Sequence, residues 1–151
     1  MPRAKLNVTL PEGMWLSRLS RENPSVRFRV LAALPDDDTG VGLVELRGPD
    51  LGTVLEGMES TAAVTDLDPL SASEDRALVR FETTEPLLLF AVRESAIPLE
   101  PPVEIREGVA TLEVTAPRDR LSELGEQLEA FGMRFEVEYV TQSIDTEELL
   151  T

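Results

Sequence analysis

Apolar and polar residues alternate along several short segments of the chain, which is the pattern of β-strands that bury one face. In 110–116 every even-numbered residue is apolar, while the odd-numbered residues Thr111, Glu113 and Thr115 are polar or charged. The same alternation predicts strands over 26–30, 42–48, 77–82, 103–106 and 134–140. We therefore expect antiparallel sheet structure built from half-buried strands.

Apolar residues also recur at helical spacing between the predicted strands. Leu121, Leu124, Leu128 and Phe131 share one helical face, and Gly132 supplies a C-terminal stop. Further helices are predicted around 15–19, 51–58 and 86–94. Before each helix a strand ends, one residue intervenes and a proline follows, in the segments 9–11, 47–49, 84–86 and 115–117. Proline suits the first turn of a helix because its missing N–H would have no partner there.

Two stretches of the chain share a pattern of residues. Residues 40–51 are GVGLVELRGPDL and residues 108–121 are GVATLEVTAPRDRL, and the spacing from Gly40 to Gly108 also relates Glu45 to Glu113. The fold class is predicted as α+β, a tandem duplication of βαββαβ halves of ferredoxin-like or ACT-like kind with antiparallel sheets. The predicted halves are 1–68 and 77–141, joined by a linker at 69–76, with hairpin turns at 35–40 and 107–108.

The amino-acid composition excludes several kinds of catalytic and metal-binding site. The 151 residues include no cysteine and no histidine, which removes disulfides, thiolate metal sites and the commonest general base. Asp36, Asp37 and Asp38 could ligate a hard cation through oxygen, but an acidic turn before Gly40 is more often a solvated hairpin. We predict no catalytic residue, no metal and no cofactor.

The net charge is −15, from 29 acidic and 14 basic residues, and Lys5 is the only lysine. No basic patch of the kind that nucleic-acid binders carry is visible along the sequence. Excess carboxylate with little lysine favours adaptation to molar salt, where the Debye length is only ~3 Å; mimicry of an acidic partner is the alternative. With no signal peptide and no long apolar run, we expect a cytoplasmic protein that does not contact membranes.

The segments 25–46 and 76–132 resemble the regulatory domain of haloarchaeal bacterio-opsin-activator-type transcription regulators. The strings FETTEP, RESAIPLE and VTAPRDRLSELGEQL, which begin at Phe81, Arg93 and Val114, carry the resemblance. In that family the domain precedes a helix-turn-helix DNA-binding domain. The resemblance implies that 142–151 is a linker toward such a domain outside this chain, and that residues 1–151 do not bind nucleic acid directly.

A small-molecule site is predicted at the seam between the halves. Its candidate residues are Thr83, Thr84 and Glu85 before one helix and Thr9 and Glu12 before its counterpart. Free backbone N–H groups at helix starts favour an anionic ligand or one with a carboxylate. The alternative is that Thr84 or Glu85 simply caps its helix.

The sequence thus predicts a non-catalytic sensor domain that controls an attached helix-turn-helix domain. The alternative is a stand-alone ACT-like module that binds an amino acid. An enzyme is disfavoured because no convergent set of polar residues is evident. The expected partners are the downstream DNA-binding domain and a small-molecule effector, with a homodimer left open.

Overall fold

The computed structural model describes residues 2–142 and has an α+β fold, as predicted. Eight strands form the sheet: β1 (Pro2–Thr9), β2 (Arg27–Asp36), β3 (Thr39–Arg47), β4 (Val64–Ala72), β5 (Arg76–Thr83), β6 (Glu100–Arg106), β7 (Val109–Thr115) and β8 (Arg134–Gln142). Four helices lie between them: α1 (Trp15–Glu22), α2 (Leu51–Glu59), α3 (Leu87–Glu94) and α4 (Arg118–Ala130). Along the chain, the order βαββαβ occurs twice. We call β1 to β4 with α1 and α2 the first half, and the remaining elements the second half.

The strands form one sheet rather than a sheet for each half. Their order is β4-β5-β3-β2-β6-β7-β1-β8, and neighbours in this order are antiparallel. The expectation of separate sheets is corrected by β2, which pairs with β6 and joins the halves. The first strands have also changed sides, since β1 lies between β7 and β8 while β5 lies between β3 and β4. Alternation specifies which face a strand buries but not which strand it joins, so the sequence left this pairing undetermined.

One face of the sheet carries the core. Buried residues alternate with half-buried ones along the central strands, and the buried set joins the apolar sides of the helices in one cluster. Phe28, Leu46, Val79 and Leu112 are among its fully buried members. The other face, which we call the open face, carries the intervening polar and charged side chains. None of the helices in residues 2–142 is long and apolar enough to cross a membrane.

The junctions before the helices differ in detail from the prediction. Pro86 and Pro117 are the N-cap residues of α3 and α4, and Pro11 and Pro49 precede the N-caps of α1 and α2. The prolines therefore precede the first helical turn rather than lying within it. The N-cap of α3 is Pro86 and no side chain forms a capping hydrogen bond there, so neither Thr84 nor Glu85 caps α3.

The predicted stop of α4 is confirmed. Gly132 follows the C-cap residue Phe131 and has φ +80°, a conformation in which glycine avoids the clash of a side chain. The N–H of Gly132 donates to the Glu129 carbonyl and that of Met133 to the Leu128 carbonyl. This pair of bonds satisfies carbonyls that the helix end would otherwise leave free.

The predicted turns and linkers lie as follows. Hairpins join β2 to β3 and β6 to β7 at the expected turns. The segment predicted as a linker, 69–76, spans the end of β4, a short turn and the first residue of β5. Of the segment 142–151, only Gln142 is described, as the end of β8, and 143–151 lies outside the described residues.

Candidate functional site

A small cavity lies between the sheet and the connections that lead into α1 and α3. Its volume is about 80 Å³. The wall includes strand residues of both halves, from β2, β3, β5 and β6, together with Leu10 and Met14 before α1 and Glu85 and Pro86 before α3. Its other side chains are mostly aliphatic. The cavity is thus at the seam where a ligand site was predicted.

Two glycines of β3 make room for this arrangement. A Cβ atom on Gly42 would lie 2.5 Å from Cζ of Phe81, and one on Gly40 would lie 2.6 Å from Cβ of Pro86. Contacts this short do not occur between real atoms, so any side chain at either position forces its neighbour to move. The string GVG at 40–42 therefore serves close packing of β5 and α3 against β3, and it lies within a hairpin strand rather than a phosphate loop.

A buried hydrogen bond links the two connections beside the cavity. The indole Nε1 of Trp15 donates to Thr83 Oγ1 at 2.9 Å, and the backbone N–H of Glu85 donates to the same oxygen at 3.0 Å. The Trp15 ring also meets Phe81 edge to face, with centroids 5.4 Å apart. The Trp15 side chain is buried. Because Trp15 begins α1 and Thr83 ends β5, this bond joins the halves directly.

The predicted site residues separate into two groups. Thr83 and Glu85 line the cavity. Thr84 is exposed, and its backbone N–H donates to the Ala63 carbonyl at 2.9 Å, which turns the chain away from β5. Thr9 lies in β1, opposite Val109 and Arg134 of the neighbouring strands. Glu12 is exposed and lies 3.6 Å from Arg21 Nη1.

The electrostatics of the cavity argue against the expected anionic ligand. Glu85 is the one ionisable residue in its described lining, and no arginine or lysine is among the lining residues. A carboxylate or phosphate placed there would meet a like charge in apolar surroundings, which is costly. The expectation of an anionic ligand came from helix starts alone. The side chains around those starts favour a neutral or cationic ligand instead.

The sequence did not point to most of the wall. Leu16, Val30, Leu88, Leu99 and Val103 line the cavity, but they resemble ordinary core residues in the sequence. The only local signal was the pair of glycines in β3, since glycine inside a strand marks a close approach. The convergence of the two connections follows from the strand order, which alternation does not determine.

The open face carries a cluster of charged residues at its middle. Glu45 Oε1 accepts hydrogen bonds from Arg29 Nη1 at 2.8 Å and from Arg47 Nε at 2.6 Å, and Arg29 Nε is also 3.5 Å from Glu104. Burial raises the pKa of Glu45, but the hydrogen bonds and positive charges of Arg47 and Arg29 outweigh it. The pKa therefore lies below its ordinary value of 4.5. A carboxylate held ionised between two guanidinium groups is a structural element rather than a proton donor.

Within residues 2–142, no group of three or more carboxylates is arranged to hold a metal ion. A scan against protein-family models gives no match to this chain, and a search of curated proteins gives none either. The functional inference therefore rests on the cavity and on the sequence.

Proposed function

We propose that this chain is the non-catalytic regulatory domain of a transcription regulator, and that it binds a small molecule in the seam cavity. The observation that supports the proposal is the cavity itself, because residues of both halves wall it and the Trp15–Thr83 hydrogen bond joins the halves beside it. The proposal that a helix-turn-helix domain is attached rests on the resemblance of 25–46 and 76–132 to the bacterio-opsin-activator family.

The exchanged strands can transmit ligand binding in the cavity to the rest of the sheet. Leu10 follows β1, which lies among second-half strands, and Thr83 ends β5, which lies among first-half strands. A ligand that separates these connections displaces a strand in each half of the sheet. It acts only if it binds one arrangement more tightly than the other.

The wall selects the ligand class. A volume of about 80 Å³ suits a molecule with few non-hydrogen atoms, since cavities of ~150 Å³ hold benzene. The aliphatic lining favours an apolar body, and Glu85 favours a neutral or cationic polar end. An ACT-like site for a free amino acid is less well supported, because the described lining offers no cation for its carboxylate.

We also propose that the halves are a duplicated ferredoxin-like unit with exchanged first strands. In β4-β5-β3-β2, three strands come from the first half and the fourth is β5 of the second. In β6-β7-β1-β8, three come from the second half and the fourth is β1 of the first. Each set would regain the order of one unit if β1 and β5 changed places.

The ligand proposal can be tested by the fluorescence of Trp15, the only tryptophan in the chain. Propanol, propylamine and propionate have similar sizes but differ in charge. We expect propanol and propylamine to change the emission saturably, with dissociation constants of about 1 mM or weaker, and propionate not to. Gly42→Ala should abolish the response by displacing the Phe81 ring, which lines the cavity, whereas Gly52→Ala, on α2 with open space around it, should keep it. A response that is linear for all probes, or unchanged in Gly42→Ala, contradicts a specific site.

The regulatory assignment is tested with DNA. We expect residues 1–151 alone to show no promoter binding at ~0.15 M salt, and a longer product of the same gene carrying a helix-turn-helix to bind. If residues 1–151 bind promoter DNA as tightly as the longer product, the assignment is wrong. Because this assay does not involve the small-molecule probes, either proposal can fail while the other stands.

A further inference from the structure

A row of arginines crosses one end of the open face. Arg27 on β2 is directly opposite Arg47 on β3, and Arg47 is directly opposite Arg76 on β5. Arg106 extends the row on β6, because Phe28 pairs with Ile105 and the next residues outward are Arg27 and Arg106. We call these four residues the arginine row. Adjacent strands are about 4.8 Å apart, so the row is about 14 Å long.

The row is unusual because like charges directly opposite each other destabilise a sheet. Several other cations of the open face are paired with carboxylates. Arg80 pairs with Asp66 at 3.0 Å, and Lys5 is 3.7 Å from Glu138. Those cations are neutralised, whereas the row concentrates charge of one sign.

Arg27 and Arg76 have no side-chain hydrogen bond or ion pair among the described residues, unlike the other two members of the row. Arg47 is bonded to Glu45, and Arg106 Nε donates to the Pro24 carbonyl at 3.2 Å. Arg27 and Arg76 are exposed, and no carboxylate within residues 2–142 lies within 4.0 Å of either. The nearby turns contribute Glu74, Asp75 and Glu107, which form no ion pair with the row. In a chain with twice as many acidic as basic residues, unpaired neighbouring arginines are unexpected.

We propose that the arginine row binds a small phosphate-bearing anion, with a diphosphate group as its recognised feature. Guanidinium groups match phosphate oxygens in bidentate geometry and remain charged at any physiological pH. A diphosphate has enough charge and oxygen atoms to contact Arg27, Arg47 and Arg76 together. The site is independent of the seam cavity, because it lies on the opposite face of the sheet.

The length of the arginine row favours a small anion over a nucleic acid. A polynucleotide would extend beyond a row of about 14 Å onto a surface that contributes to a net charge of −15. Repulsion from that surface is only partly screened at physiological salt, where the Debye length is ~8 Å. A small anion stays within the row.

Calorimetric titration of the chain with pyrophosphate at ~0.15 M ionic strength tests the proposal. We expect saturable binding with one site per chain. Arg27→Gln/Arg76→Gln should weaken it at least tenfold. The matched control is Arg118→Gln, an exposed arginine on the helical side, which should change it less than twofold. Thermal melting should show that the double variant is folded, since the substitutions remove repulsion. Arg27→Lys/Arg76→Lys, which keeps the charge but loses the fork geometry, should bind with intermediate affinity.

Several results would overturn the inference. These are an absence of saturable binding to the wild-type chain and equal binding by the glutamine variant. Succinate binding as tightly as pyrophosphate would overturn the phosphate assignment. A single-stranded oligonucleotide that binds more tightly through the same arginines would show a nucleic-acid surface instead. The double variant should keep the Trp15 response to propanol, so this test and that of the cavity are separable.

Discussion

At the residue scale, the tightest fit beside the cavity is between Gly42 on β3 and the Phe81 ring on β5. The backbone of Gly42 leaves the space that the ring occupies, and a methyl group there would lie 2.5 Å from the ring carbon Cζ. Phe81 in turn supports Trp15 by an edge-to-face contact. One hydrogen atom in place of a methyl group thus sets the positions of both aromatic rings beside the cavity.

Gly42→Ala should destabilise the fold by about 1–3 kcal/mol, because an added methyl group in a packed core forces its neighbours out of place. Gly52→Ala is the matched control. Gly52 is helical and has nothing within 4 Å of an added Cβ, so alanine should stabilise α2 by up to about 1 kcal/mol. Urea unfolding of the three proteins measures both effects. Equal stability of Gly42→Ala and the wild type would show that Phe81 moves freely.

A second prediction concerns how the contribution of Glu45 to stability depends on pH. Because its folded pKa is lowered, the carboxylate contributes stability above its unfolded pKa, and that contribution is lost as the pH falls through the folded value. Glu45→Gln should cost about 1–3 kcal/mol at pH 7, since two charge-assisted hydrogen bonds are weakened. The difference between the two proteins should shrink as the pH is lowered from about 5 toward 3.

The control is Glu82→Gln on β5, a half-buried residue of the same face with no ion pair among the described residues. It should change stability by less than about 0.5 kcal/mol at pH 7. Unfolding free energies measured between pH 3 and pH 7 decide the matter. A Glu45→Gln deficit that stays constant with pH would contradict the linkage.

The sequence located part of the site at this scale. The proline junctions drew attention to Thr83 and Glu85, and both line the cavity. They also suggested Thr9, Glu12 and Thr84, which do not, because position before a helix does not specify where a side chain points. The arginine row was invisible, since its members are distant in sequence and only strand register places them side by side.

At the scale of elements, the main finding is that the halves exchange a strand within the sheet. β1 lies among the strands of the second half, and β5 lies among the strands of the first half. Among the strands of residues 2–142, only β1 pairs with the edge strand β8, and only β5 pairs with the edge strand β4. Removing β1 from its place would leave β8 without a neighbour. The halves should therefore unfold together rather than as separate units.

Leu6→Ala tests this coupling. Leu6 is 5% exposed in β1, and truncation should cost about 2–5 kcal/mol. We expect it to lower the unfolding midpoints of both halves equally, as followed by Trp15 fluorescence for one half and amide exchange of β7 and β8 for the other. Leu34→Ala, at 65% exposed, is the matched control and should have little effect. Exchange in β8 that is fast while Trp15 remains native would show independent halves.

Most strand and helix positions could be predicted because alternation and helical spacing are local, but the bounds of β1 and β4 were not predicted. The predicted strand at 110–116 and helix at 121–131 closely match β7 and α4. The order of the strands could not be predicted, because β1 can bury its apolar face equally well beside β3 or beside β7. That choice depends on contacts between residues far apart in the chain.

At the scale of the whole molecule, charge is the dominant feature. With a net charge of −15 on 151 residues, most carboxylates have no cation to pair with. The ion pairs that do form concentrate on the open face, where Arg29 and Glu45 meet. The helical side and the turns therefore carry much of the uncompensated charge, and its repulsion opposes the compact state.

Salt should consequently stabilise this protein. The Debye length falls from ~10 Å at 0.1 M to ~3 Å at 1 M, so repulsion between surface carboxylates is largely screened in molar salt. We expect the thermal midpoint to be several degrees higher in ~2 M potassium chloride than in ~0.1 M. The control is a variant with fewer charges, Asp38→Asn/Glu59→Gln/Glu74→Gln, whose three residues are exposed and form no ion pair among the described residues. If repulsion is the cause, this variant melts higher at low salt and responds less to added salt. Equal midpoints for the wild type at both concentrations would show that repulsion does not limit its stability, and the charge would then need another explanation.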